Sequence, residues 1–502
     1  MGKYFGTDGA RGVANQELTP DFALAMGRAL VAFLREQTAD DSASGAVLRV
    51  CGDIQVDVDI VSDGGKGGKS AGTVVGITDP SRLRILIGMD TRLSGGMLSA
   101  ALAAGICSAG ADVWMGGVLP TAALSFLTER GKFSAGAMIS ASHNPSEYNG
   151  IKIVDASGYK LTVEAENRLE TYIDAVLEGH GSSPPQGHEV GRMINWDLAL
   201  GIYKEHLLSA VDFSLQGYNI VLDCANGAAA QVAPEVFSEL GANLILTATV
   251  PDGLNINLNC GSTNVERLSA LTVATDSHIA LAFDGDADRL LVCSAAGEVL
   301  DGDQIMAILA AHLKEEDDLP GDTIVTTVMS NSGLEDFCSR RGISVVRTDV
   351  GDRHVMHEMV ASGYGLGGEQ SGHIIIREFA NTGDGILTAL ILLKALRSHG
   401  MDTRVALSDW LTFPQYNTHV TVPEYADGAV SAAAKRALAT APPVLVLIAE
   451  MKTRPGIARI LVRPSGTEPI VRIMVEGREE AAVVAAAEEL RATIEAVRDK
   501  RE

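Results

Sequence analysis

Three times along this chain a short run of branched apolar residues gives way to a helical pattern and then to another such run. That rhythm restricts the fold more than any other feature. Arg84-Ile85-Leu86-Ile87-Gly88 precedes a small-residue helix from Met97 to Ser108. Asn219-Ile220-Val221-Leu222-Asp223 precedes a helix from Ala228 to Leu240, and Thr323-Ile324-Val325-Thr326-Thr327 precedes one from Gly333 to Arg341. Strand, helix, strand order builds mainly parallel sheets, whose ligands bind beyond the carboxyl ends of the strands. The segment from about Phe413 onward differs. There the runs Val444-Leu445-Val446-Leu447 and Ala458-Arg459-Ile460-Leu461-Val462 are read as alternating; they frame one helix and precede an alanine-rich final helix. The expected fold class is therefore α/β: three similar α/β domains with mixed, mainly parallel sheets plus a smaller C-terminal α+β domain.

At 502 residues the chain exceeds the size at which one hydrophobic core stops growing. A Gly-, Ser- and Pro-rich connection over residues 179–191 and a second boundary near Gly302 divide it into 1–190, 191–301, 302–412 and 413–502. Residues 38–83 break the rhythm, and their alternating Ile54-Gln55-Val56-Asp57-Val58-Asp59-Ile60 run reads as an inserted β-hairpin. Within it Gly64-Gly65-Lys66-Gly67-Gly68-Lys69-Ser70 fails as a phosphate loop, because Asp63 stands where the first glycine is required.

A formal net charge of −24 argues against broad contact with nucleic acid or an anionic membrane surface, either of which would want a basic face. Cys51, Cys107, Cys224, Cys260, Cys293 and Cys338 form no CxxC pair or metal-like spacing and read as reduced core thiols. With no apolar signal region at the start and no charge-free span of about 20 residues, the expectation is a soluble, cytoplasmic protein.

Four segments carry chemistry. After the apolar run ending at Ile139, Ser140-Ala141-Ser142-His143-Asn144-Pro145 lifts Ser142 out at a strand's end, with His143 and Asn144 as added donors. A serine so placed more often satisfies backbone groups, and without a GxSxG elbow acyl transfer is disfavoured. Asp284, Asp286 and Asp288 stand on alternate residues after Ile279-Ala280-Leu281-Ala282-Phe283 and before Arg289. Crowded carboxylates demand protonation or a cation, and hard oxygen ligands favour Mg²⁺. A solvated acidic turn is the alternative. EF-hand spacing is ruled out by Arg289 and Ala295 at the sixth and twelfth positions. Glu369, Ser371 and His373 mix acceptors with donors as sugar hydroxyls require, and a polar hairpin is their plainer reading. Arg463, Ser465, Gly466, Thr467 and Arg472 combine guanidinium forks, hydroxyls and a flexible backbone that can wrap a phosphate. Arg11 on a glycine-rich turn carries little by itself, and Lys152 leaves acid, base and structural roles open.

Taken together, these four segments, in order, resemble the α-D-phosphohexomutase family over essentially the whole chain except 38–83. The resemblance implies four domains around a central cleft, the fourth mobile. It implies a phosphorylated Ser142 that passes its phosphoryl group to glucosamine 6-phosphate and recovers one from the bound 1,6-bisphosphate. By similarity Asp284, Asp286 and Asp288 hold one Mg²⁺ with the Ser142 phosphate, Glu369 and Ser371 bind sugar hydroxyls, and the loop from Arg463 grips the non-reacting phosphate. Arg11, Lys152 and His373 resemble residues near the transferring group, and His143 and Arg289 are counted with them. Gln370, where mannose and glucose relatives often carry methionine, resembles the amino-sugar branch, whose product feeds UDP-N-acetylglucosamine and cell-wall synthesis. The alternatives are phosphomannomutase or phosphoglucomutase activity, and a non-catalytic phosphosugar sensor. A homodimer and a diadenylate cyclase partner are further implications of the resemblance. Ala287 departs from the glycine common inside the acidic loop.

Overall fold

The run at Arg84 becomes the strand Arg84–Met89, which lies parallel to Ala135–Ile139 on one side and Asp112–Val118 on the other. Tyr148–Asp155 then pairs antiparallel with Ala135–Ile139, and Ala10–Val13 antiparallel with Tyr148–Asp155. With the edge strand Met193–Asn195 this makes a six-stranded mixed sheet. The computed structural model describes residues 2–6, 8–44, 82–180, 183–422, 432–465 and 468–500. They fall into two compact units, Met1–Asp301 with Ser371–Asp402, and Gly302–Gln370 with Thr403–Glu502.

In the first unit the six-stranded sheet is covered by the helices Pro20–Ser44 and Gly95–Ser108. The former buries Ala23, Met26, Leu30 and Phe33 at helical spacing, each of the larger side chains contributing about 1.5–3 kcal/mol. This helix corrects one expectation. Residues 38–44, assigned above to an insertion, continue it, since no glycine or proline stands between Gly27 and Gly45. The expected hairpin and the lysine-glycine stretch within it lie outside the described residues.

A second sheet in the same unit has five strands. Ile279–Phe283 and Asn243–Thr247 flank Asn219–Asp223 in parallel, and Leu290–Ser294 returns antiparallel beside Ile279–Phe283. Because Phe283 pairs with Leu290, the acidic segment 284–289 is the turn of a hairpin.

The second unit holds the parallel strands Thr323–Thr327, Ser344–Thr348 and Leu366–Gly368. It also holds an antiparallel sheet of Gln415–Thr421, Ile470–Gly477 and Ile457–Pro464, packed by the helix Glu480–Asp499. Here a second expectation fails. Val444-Leu445-Val446-Leu447 is not an alternating run but part of the helix Pro442–Met451. Pro442 and Pro443 preset its first turn, and Val444, Leu447, Ile448 and Met451 bring one helical face to the core while Leu445 and Val446 stay exposed. A four-residue apolar run has no period that separates the two states.

Among the described residues no helix is long and apolar enough to cross a membrane. Five described cysteines are free, and four of them are buried. Burial pushes the thiols of Cys260 and Cys338 up to about 12, so they are protonated packing groups.

Candidate active site

The fully buried strand Ala135–Ile139 delivers Ser142 three residues beyond its own end. Ser142 is 1% exposed and its backbone is left-handed, φ 52°. A residue with a Cβ adopts that conformation at a cost of about 1 kcal/mol, so the surroundings must impose it. Its N–H donates to Ser140 Oγ at 2.9 Å. The hydroxyl donates to Asp284 Oδ2 at 2.6 Å and lies 3.4 Å from His143 Nδ1. Close approach of the two loops depends on Gly285, where a Cβ would fall 2.6 Å from Ser142 O and 2.9 Å from Asn257 Nδ2.

The hairpin turn gathers Asp284, Asp286 and Asp288, all buried, with one carboxylate oxygen of each within 4.8 Å of the others. Burial, then the charges of Asp288 and Asp286, pushes Asp284 well above the usual carboxylate range. Burial acts on Asp286 as well, but it is outweighed by Lys152 and by hydrogen bonds from Lys152 and Thr121, which leave that carboxyl low. Asp288 is likewise held low against burial and Asp286 by His373 and Lys152. Two buried oxygens, Asp286 Oδ1 and Asp288 Oδ1, receive no hydrogen bond. Oxygen-only donors, anionic neighbours and undonated buried oxygens are what a hard divalent cation satisfies, so the residues fit Mg²⁺.

Cations surround this cage. Lys152, on the strand Tyr148–Asp155, places Nζ 2.9 Å from Asp286 Oδ2 and 3.1 Å from Asp8 Oδ2, and stays charged despite full burial. Asp8 also pairs with Arg11 and, at 2.5 Å, with Lys160. The helix Thr121–Arg130 aims its first turn at Asp286: Thr121 N donates to the Asp286 carbonyl at 3.0 Å and Thr121 Oγ to Oδ2 at 2.6 Å. His373 accepts from Gly383 N at Nε2, 3.1 Å away, which turns Nδ1–H toward Asp288 Oδ2 at 3.5 Å. Arg289 donates its backbone N–H to Asp284 Oδ1 at 3.2 Å. Burial, reinforced by Arg289 and Arg11, depresses His143 to about 4, so its imidazole is neutral near pH 7.

Ser142, His143, Lys152, Arg11, Asp284, Asp286, Asp288, Arg289 and His373 thus assemble in one unit. Ser371 belongs to that unit and is exposed. Glu369 belongs to the second unit, where its Oε1 accepts from Gly351 N at 3.1 Å. Also in the second unit, Arg463 and Arg472 stand directly opposite across antiparallel strands, with His419 opposite Arg472 on the next. Like charges so paired are unfavourable without an anion nearby, and Glu468 pairs with Arg472 here. Arg463, Arg472 and His419 line a cavity of about 340 Å³ with Asn417 and Thr418. Ser465 is buried, and Lys435 Nζ ties its carbonyl, at 2.5 Å, to that of Glu468 at 3.0 Å. Gly466 and Thr467 lie outside the described residues.

Sequence reasoning missed Asp8, Thr121, Lys435 and His419, together with Asp90, Arg92 and Asn257 beneath the serine loop. No local motif marks Thr121, Lys435, His419 or Asn257. Asp8, by contrast, adjoins the glycine-rich turn of Arg11, and that neighbourhood was the signal.

Comparison with known proteins places four domain models on the chain. They are the alpha/beta/alpha domains I (residues 2–56 and 66–179), II (202–297) and III (301–413) and the C-terminal domain (425–493) of phosphoglucomutase/phosphomannomutase. Phosphoglucosamine mutase of Carboxydothermus hydrogenoformans is 41% identical over 99% of this chain and 100% of that protein. Among solved structures, a phosphoglucomutase/phosphomannomutase family protein from Burkholderia thailandensis superposes with a TM-score of 0.72 at 22% identity, covering 98% of this chain and 97% of its own. Aspergillus fumigatus N-acetylphosphoglucosamine mutase, solved with GlcNAc-6P and magnesium, reaches 0.55 at 20% identity over 76% of this chain and 92% of its own.

Proposed function

The chain belongs to the phosphoglucomutase/phosphomannomutase family of sugar-phosphate isomerases, and on that premise we propose that it interconverts glucosamine 6-phosphate and glucosamine 1-phosphate. Gln370 and the near-full-length relative named for that activity support the choice of sugar. The observation that carries the mechanism is the Ser142 hydroxyl held 2.6 Å from a buried carboxylate of a three-aspartate turn.

Phosphorylated Ser142 gives its phosphoryl group to the sugar: the seryl O–P bond breaks as a sugar O–P bond forms, and the proton of the accepting sugar hydroxyl ends on the departing seryl oxygen. The bisphosphate turns over, and its other phosphoryl group returns to Ser142. Lys152, fixed by Asp286 and Asp8, keeps a positive charge beside the transferring group, and Arg11, Arg289 and His373 add donors there. Neutral His143, 3.4 Å from Ser142 Oγ, is suited to take and return the hydroxyl proton. Asp284, Asp286 and Asp288 would hold Mg²⁺, which when bound supplies positive charge to phosphoryl oxygens. Glu369 and Ser371 bind sugar hydroxyls, while Arg463, Ser465, Gly466, Thr467 and Arg472 hold the phosphate that is not reacting. The reaction belongs in the cytoplasm, where its product feeds UDP-N-acetylglucosamine synthesis.

A coupled assay on the 6-phosphates of glucosamine, glucose and mannose tests the substrate; the expected result is the highest kcat/KM for glucosamine 6-phosphate. Equal or better turnover of glucose or mannose 6-phosphate rejects it. Intact-mass analysis tests the relay: a sugar 1,6-bisphosphate adds one phosphate to the wild type and none to Ser142→Ala, which loses turnover.

A further inference from the structure

Beneath the serine loop lies a guanidinium whose donors are all committed. The strand Arg84–Met89 ends beside Ala135–Ile139, and Asp90 N donates to Ile139 O at 3.0 Å, so the chain after the first strand runs under the loop after the second. Arg92 is 3% exposed. Its Nε bonds Asp90 Oδ2 at 2.9 Å, Nη2 bonds the carbonyls of Ser142 and Asn144, both at 2.8 Å, and Nη1 bonds those of Pro145 and, at 3.1 Å, Tyr148. That uses every N–H a guanidinium has. Asp90 Oδ2 also accepts from Ser140 Oγ at 2.7 Å, the same hydroxyl that receives Ser142 N. From the acidic-loop side, Asn257 Nδ2 reaches Ser142 O at 2.9 Å and Asn144 O at 3.1 Å. Both peptide groups flanking Ser142 are therefore tied to buried side chains, and none of these is a residue assigned above to sugar, phosphate or metal.

We propose that Arg92, anchored by Asp90 and seconded by Asn257, is a positioning residue that holds Ser142 in its left-handed conformation with Oγ aimed at Asp284. The proposal rests on the reading of Ser142 as the phosphate carrier. Released from these bonds, a serine relaxes to negative φ and its hydroxyl swings off the acidic turn. A displacement of about 1 Å in a reacting group costs on the order of 100-fold in rate. Arg92 acts through the backbone alone, so its loss lowers kcat and leaves substrate affinity in place.

The test compares Arg92→Lys, which keeps the charge but reduces five donors to three, with Asn257→Ala, which removes one shared donor and no charge. Both are assayed in the full chain with Mg²⁺ and glucosamine 6-phosphate, with folding checked by circular dichroism. Arg92→Lys is expected to lower kcat by about 100-fold and Asn257→Ala by about 10-fold, each with KM within about threefold of wild type. Phosphate loading of Ser142 from a sugar 1,6-bisphosphate slows in parallel. A folded variant of either kind with kcat within about twofold of wild type, or a loss confined to KM, overturns the proposal. Should Arg92→Lys not fold, Asn257→Ala decides alone. Ser142→Ala run alongside separates the two ideas: turnover surviving in that variant sinks the role of Ser142 itself, whereas full activity in the clamp variants with Ser142→Ala inactive sinks only the clamp.

Discussion

Ser142 and Asp284 are 142 positions apart in the chain, yet the serine hydroxyl donates to the aspartate at 2.6 Å with both side chains buried. The bond joins the ends of two different sheets. It also puts a carboxylate that burial and its neighbours disfavour as an anion next to the atom proposed to carry phosphate.

Asp284→Asn keeps an oxygen to accept from Ser142 but removes one charge from the cage. Turnover should fall by at least about 100-fold. In wild type, Mg²⁺ at about 100 times its Kd should stabilise the folded chain by about 2.7 kcal/mol, seen as a melting shift that EDTA reverses. The variant should show little of that shift; an undiminished response to Mg²⁺ would place the metal elsewhere.

Ala287 sits inside the acidic turn, fully buried, at φ 59°. Replacing it by glycine relieves the left-handed backbone at about 1 kcal/mol but gives up a buried methyl and chain stiffness of similar size, so Ala287→Gly should be close to neutral. Ala287→Val, β-branched in a left-handed site with no room, should destabilise by about 2–3 kcal/mol. Urea midpoints for the two variants give the order.

Asp384 caps the helix Gly385–Arg397, its Oδ1 accepting from Ile386 N and Leu387 N, and takes the Tyr203 hydroxyl at 2.7 Å on Oδ2. Burial pushes it up to about 6, against 3.8 ordinarily. With the folded value raised, the native state holds the extra proton between those two pH values, so stability falls as pH climbs through that window and is level above it. At about 1.4 kcal/mol per unit this amounts to roughly 3 kcal/mol. Asp384→Asn retains an acceptor for both amides, and its stability relative to wild type should rise by roughly that amount from about pH 4 to about pH 7. Parallel stability curves for the two proteins would contradict the assignment.

In the second unit Arg459 pairs with the fully buried Glu476 at 2.7 Å and donates to the carbonyls of Val328 at 2.9 Å and Ser330 at 2.6 Å. Arg459→Met strands that carboxylate and should cost about 3–5 kcal/mol in thermal unfolding. Adding Glu476→Gln, which still accepts from Ser332 N through one oxygen, should recover more than about 1 kcal/mol of the loss. A double variant no more stable than the single one would show that charge is not the cause.

Much of this molecule was legible in its residues. The strands Asn219–Asp223, Ile279–Phe283 and Thr323–Thr327 lie where apolar runs announce them; the acidic loop begins directly after one such run, and Ser142 stands three residues past another. Periodicity and turn chemistry act over a few neighbouring residues, and these signals are of that range. Where a run was too short to show a period, as at Val444-Leu445-Val446-Leu447, the reading failed, and the proline pair before it decided the state.

What the chain made legible by itself was that Ser142 and the three aspartates would stand at the ends of buried strands. Tertiary structure alone decided that Lys152 lies between Asp286 and Asp8, that His143 is neutral, that Ser142 is left-handed, and that Arg92 holds the loop from below. Each of these depends on which sheets meet and how much water they exclude. Desolvation and contact across many residues of separation leave no trace in local order.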